Sequence, residues 1–149
     1  MSLFSTSIRL TGVAILLGCA LPAFADEATI PVIVTLDGVR SGYAPLYISV
    51  QKRAHFMGIK GHSEILKTTT DGTMHVTVNV DTPDDYAVSV WHDLNDDGVF
   101  SMTDDYQVLD GWGNSGATDL RGRPTFDDVK FTVTDSGAAT VVALKYPSE

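Results

Sequence analysis

YAVSVWHDLNDDGVF, residues 86–100, joins two patterns that are rarely neighbours. The first half alternates. Tyr86, Val88 and Val90 fall on one side of an extended chain, and Ala87, Ser89 and Trp91 on the other, the period-two signature of a half-buried strand. The second half has the D-x-N-x-D-G spacing of a calcium loop, but no helix leads into it. An EF-hand is therefore excluded as a whole motif, and the loop has to sit on a β scaffold.

The same alternation recurs on both sides. IPVIVTL (30–36) places Ile30, Val32, Val34 and Leu36 on one face, and APLYISVQ (44–51) does so with Leu46, Ile48 and Val50. TMHVTVNV (73–80) sets Met74, Val76, Val78 and Val80 against His75, Thr77 and Asn79. DVKFTV (128–133) alternates, GHSEILKT (61–68) does so weakly, and ATVVALKY (139–146) is apolar enough for a central strand. RAHFMG (53–58) reads as one helical turn. Turn signals punctuate these runs at Asp37-Gly38, Ser41-Gly42, Asp71-Gly72, Pro83-Asp84 and Ser136-Gly137, with Asp71-Gly72 suited to a tight hairpin. About seven short strands of this kind predict an all-β fold, an antiparallel β-sandwich of immunoglobulin-like or transthyretin-like type.

From Asp93 to Thr125 no strand is evident, and the segment holds Gly98, Gly111, Gly113, Gly116 and Gly122 with seven Asp. So long a loop in a compact domain is normally functional or held by something. With Asp93 as position 1, Asp93, Asn95 and Asp97 offer side-chain oxygens at positions 1, 3 and 5, and Gly98 permits the sharp turn. The Val99 carbonyl, Ser101 and Asp104 follow at positions 7, 9 and 12, with Phe100 expected to anchor the loop in the core. Asp104 is shorter than the usual Glu, which makes Asp105 or Asp110 an alternative last ligand. Calcium suits such a set of hard oxygens better than magnesium, with an affinity on the order of 10⁻⁴–10⁻³ M. The competing reading is an Asx-rich turn in which Asn and Asp stabilise their own backbone.

The first 25 residues, MSLFSTSIRLTGVAILLGCALPAFA, have the basic start, apolar run and Ala-Phe-Ala cleavage site of a secretory signal peptide. This predicts a periplasmic or secreted protein, with residues 26–149 forming a single domain and no membrane span. Leu16-Leu17-Gly18-Cys19 offers a minor alternative, lipid anchoring at Cys19. Cys19 is the one cysteine, so the exported domain has no disulfide and depends on packing, helped by any bound ion.

The net charge is −9, and residues 81–149 hold fourteen acids against four bases. Sixteen of the nineteen acids are Asp, a turn and cation-ligand residue. That balance argues against nucleic acid, which needs a basic footprint, and leaves an envelope or extracellular partner. Other chemistry is thinly supported. His92 beside Asp93 would permit a hydrolase, but adjacent strand residues point to opposite faces and no nucleophile is recognisable. His55, His62 and His75 show no zinc spacing. Trp91 and Trp112 read first as packing residues and second as a carbohydrate platform. GWGNSG (111–116) follows no clear strand and opens no helix, so it is not a phosphate loop.

YAVSVWHDLNDDG, DGWGNSG and GRPTFDDVKF together resemble the uncharacterised exported bacterial proteins of domain of unknown function 2141. His92, Asp93, Asn95 and Gly98 match that family's strand-and-loop pattern directly, and Gly122, Pro124 and Phe126 match its last motif. Ser101 and Asn114 depart from it, standing where an acid and Phe are usual. The resemblance spans most of residues 30–145. It implies a small exported β domain and no particular activity.

Overall fold

The computed structural model describes residues 29–43, 45–105, 107–116 and 123–147. The signal-peptide segment and Cys19 lie outside the described residues. The strands are β1 (Ile30–Val39), β2 (Leu46–Lys52), β3 (His62–Leu66), β4 (Gly72–Val80), β5 (Asp84–His92), β6 (Gly111–Asn114), β7 (Phe131–Val133) and β8 (Ala138–Ala143). A 3₁₀ turn, Arg53–His55, follows β2, and one helical turn, α1 (Phe126–Val129), precedes β7.

The strands form two sheets. One has the order β4-β1-β8; the other runs β3-β2-β5-β6, with β7 pairing the start of β5. The expected alternation is the physical basis of both. Val32, Val34 and Leu36 of β1 face Leu46, Ile48 and Val50 of β2 and Tyr86, Val88 and Val90 of β5 in one buried cluster, completed by Val78, Val80, Val133 and Val142. Each of these side chains gains roughly 1.5–3 kcal/mol by leaving water. The Tyr86 hydroxyl reaches the rim and donates to the Thr82 carbonyl at 2.9 Å, so the buried ring leaves no polar atom unmet.

Four local expectations are corrected. Asp71-Gly72 closes no hairpin, because β3 pairs β2 in one sheet and β4 pairs β1 in the other. Asp37-Gly38 is an irregularity within β1, where the register with β4 shifts and Gly38 takes φ +74°. The 128–133 run is split: Val129 ends α1, whose Thr125 and Asp128 form a capping box, and only Phe131–Val133 is extended. β8 is an edge strand rather than a central one, and it pairs β1 in parallel, the exception in an otherwise antiparallel sandwich. Its free side is covered by isolated bridges from Ser115 to Val142 and from Trp112 to Lys145, which join the two sheets along that seam.

The supposedly strand-free segment contains β6 and a small hairpin with a Met102–Val108 bridge. Gly111 and Gly113 explain how β6 fits. A Cβ on Gly111 would lie 2.6 Å from the Tyr146 ring, and one on Gly113 would lie 2.7 Å from the Ala143 carbonyl oxygen. Bare Cα atoms therefore let β6 press against the chain leaving β8. Among the described residues no helix is long and apolar enough to cross a membrane.

Candidate functional site

The acidic loop leaves β5 at His92 and returns at β6, whose Gly111 pairs His92. Its two ends are thus fixed by the sheet, and two buried carboxylates shape what lies between. Asp93 is fully buried. Its Oδ1 accepts the Asp97 N–H at 3.3 Å and its Oδ2 accepts the Gly98 N–H at 2.8 Å. The turn this enforces needs left-handed backbone at Asp96 (φ +57°) and at Gly98 (φ +73°), which Gly supplies without cost and Asp tolerates better than most side chains.

Asp110, 2 % exposed, closes the loop from the other end. Oδ1 accepts the Leu94 N–H at 3.1 Å, while Oδ2 accepts the Ser101 N–H and the Trp91 indole N–H, each at 3.0 Å. An ionised carboxylate is acceptor-only and forms strong bonds to such donors. Asp93 and Asp110 together satisfy five N–H groups and tie the loop to β5.

The remaining predicted ligands are arranged around this frame. Asn95 and Asp97 are exposed, and the Asn95 amide donates to Asp97 Oδ2 at 2.7 Å, while Asp97 Oδ1 accepts the Val99 N–H at 2.8 Å. The Val99 carbonyl accepts the Ser101 hydroxyl at 3.2 Å. Asp104 lies in the turn beyond the Met102–Val108 bridge, at the tip of the hairpin whose base holds Ser101 and Leu109. Asp105 there accepts from the Thr103 hydroxyl and from Gln107. The structure thus brings Asp93, Asn95 and Asp97 into one turn, with Asp110 bracing it from behind, and sets Asp104 apart. Among the described residues no three His, Cys, Asp or Glu side chains gather as a metal-holding group. An ion in this turn would therefore draw on Asn95, the Val99 carbonyl and water as well as carboxylates.

His92 is a buried structural residue. Its Nε2 lies 2.9 Å from the Tyr43 carbonyl, an obligate acceptor, so that nitrogen bears the proton. Nδ1 then accepts from the Tyr146 hydroxyl at 2.9 Å, whose oxygen takes the Arg40 N–H at 3.1 Å. Burial pushes the Tyr146 phenol above its usual value, which keeps it a donor. Sequence reasoning did not bring Tyr146, 54 residues away, to His92. No local signal marks such a pairing.

Phe100 does not anchor the loop in the core. It is 42 % exposed and meets Trp91 edge-to-face at a centroid distance of 6.2 Å. Trp91 is half-buried and stacks on Tyr47 at 4.5 Å. Trp112 is also half-buried, with the Lys145 ammonium 5.3 Å from its ring centre.

Compared with known proteins, residues 34–141 match the family model of domain of unknown function 2141, described as an uncharacterised protein conserved in bacteria. No curated protein and no solved structure matches the chain.

Proposed function

The chain belongs to this bacterial family of unknown function, and from that premise we propose an exported, non-catalytic β-sandwich that presents its 93–110 loop as an interaction surface, with calcium as the loop's structural ion. One observation carries this reading: Asp93 and Asp110 spend buried carboxylates on five N–H donors to hold an exposed loop in one shape. Buried charge is costly, and here it serves loop order rather than the core.

Calcium is supported by the turn itself. Asp93, Asn95 and Asp97 keep the 1, 3, 5 spacing, and Gly98 has the left-handed backbone the sixth position needs. Each carboxylate oxygen has a second lone pair beyond the bond it accepts, and turning the Asn95 amide would offer its oxygen in place of its N–H. The test is thermal unfolding during a calcium titration. At about ten times a millimolar Kd the linkage amounts to about 1.4 kcal/mol, a rise of roughly 3–6 °C, absent in Asp97→Ala. An unchanged melting temperature in both proteins would remove the ion from the reading.

The alternatives have less behind them. A hydrolase would need His92, whose two nitrogens are already engaged away from solvent. A carbohydrate platform would need open ring faces, whereas Trp91 stacks on Tyr47 and Trp112 lies against Lys145.

A further inference from the structure

The outer face of the larger sheet carries one apolar row. Ile65 of β3 pairs Tyr47 of β2, Tyr47 pairs Trp91 of β5, and Trp91 pairs Trp112 of β6. All four side chains project away from the core, because their neighbours Leu46, Val90 and His92 point into it. Trp91 continues the row into the loop through its contact with Phe100. Its two ends are exposed, Ile65 at 52 % and Phe100 at 42 %, while Tyr47, Trp91 and Trp112 between them are half-buried; Val99, Met102 and Leu109 add exposed apolar side chains on the loop. Isolated apolar side chains on a surface are ordinary, whereas a row that runs across paired strands into a loop offers a contiguous surface for contact.

Its rim is acidic. Asp96, Asp97, Asp104 and Asp105 are exposed around the apolar side chains, and the sequence has no Lys or Arg from Trp91 to Leu120. We propose that this surface docks a cationic amphipathic protein segment, with apolar anchors seated on Phe100, Met102 and the Ile65–Tyr47–Trp91 row and Lys or Arg side chains meeting the loop aspartates. The inference rests on the interaction-module reading above and does not require calcium. Charge selects the occupant. A second copy would bring the same acids and be repelled, as would an anionic lipid surface, while a basic segment is attracted and steered. The bonds from Asp93 and Asp110 preorganise the loop, which reduces the ordering cost of docking.

The test uses the exported protein and three labelled peptides of equal length: Lys/Leu amphipathic, Lys/Ser with the same charge, and Glu/Leu with the same apolar face. Fluorescence anisotropy in EDTA should show the Lys/Leu peptide binding at least about tenfold more tightly than either comparator. The double variant Phe100→Ser with Met102→Ser should weaken it about tenfold or more, and Asp104→Asn with Asp105→Asn a few-fold. Loss of the Phe100–Trp91 edge contact should lower the melting temperature by only a few degrees, and a retained cooperative transition shows that lost binding is not lost folding. Equal binding of the Lys/Ser peptide, or full binding by the Phe100/Met102 double variant, would overturn the proposal. So would attachment to phosphatidylcholine vesicles, or dimer formation, that the same double variant abolishes. Because the titration is done in EDTA, it fails independently of the calcium titration.

Discussion

The Asp110 carboxylate accepts the Trp91 indole N–H at 3.0 Å, and this bond locks the far end of the acidic loop to the strand from which the loop departs. Oδ2 is shared with the Ser101 N–H, and Oδ1 holds Leu94. Asp110→Ala strands three donors near a half-buried ring and should cost about 3 kcal/mol, read as a lower urea midpoint. Asp110→Asn keeps one acceptor oxygen and should cost less. A loss below about 0.5 kcal/mol for the alanine variant would mean that the loop is held by other contacts.

His92 and Tyr146 form the second clamp, tying the end of β5 to the chain beyond β8. Tyr146→Phe removes the phenol that bridges the Arg40 N–H and His92 Nδ1. The expected loss is about 1–2 kcal/mol in chemical denaturation. Imidazole nitrogen chemical shifts should still report a proton on Nε2, because the Tyr43 carbonyl is untouched. A shift to the Nδ1–H form would contradict this chain of bonds.

What could be read from the sequence follows from how local each cause is. The core faces of β1, β2 and β5 were legible because Val34, Ile48 and Val90 alternate with less buried neighbours, and burial follows that period wherever one face is covered. Strand pairing was not legible. Nothing within TDG, residues 70–72, says that the strands on either side enter different sheets. β8 looked central because it is apolar, yet Val141 is 58 % exposed on an edge strand. At the candidate site, residue type alone did not separate a cation ligand from a carboxylate binding N–H groups. Asp93 and Asp110 showed their roles only once the donors facing them were placed.

β6 was missed for a reason that makes its own prediction. Glycine is depleted in strands, so GWGN (111–114) reads as loop, but here it is the absence of side chains that admits the strand. Gly113→Ala would drive a methyl into the Ala143 carbonyl oxygen and the Val142 side chain, each 2.7 Å from the new Cβ. Overpacking against backbone should cost about 1–3 kcal/mol. It should also weaken the Ser115 bonds next door, where the hydroxyl donates to the Val129 carbonyl and accepts the Val88 N–H. Amide exchange at Val88 should therefore accelerate more than at Val34, which lies in the other sheet. Uniform acceleration would argue for global loosening instead.

Acid should weaken the fold through the surface carboxylates of β5 and α1. The Lys130 ammonium and the Thr132 hydroxyl hold Asp85 below the usual carboxylate range. Lys52 does the same for Asp84, Arg53 for Asp127, and the Thr125 hydroxyl and N–H for Asp128. A folded-state pKa below the unfolded value of about 3.9 means that the folded protein releases these protons more readily. Their stabilisation is then fully present above about pH 5 and is lost as pH falls through the depressed folded values. Solvent screening keeps each contribution small, so the test is the shape of the curve. Between pH 7 and 5 these pairs should leave the melting temperature level, and below about pH 4 it should fall. Asp85→Asn, which has no carboxylate to protonate, should show a shallower fall than the parent protein. An identical slope in the two would assign acid sensitivity to other groups.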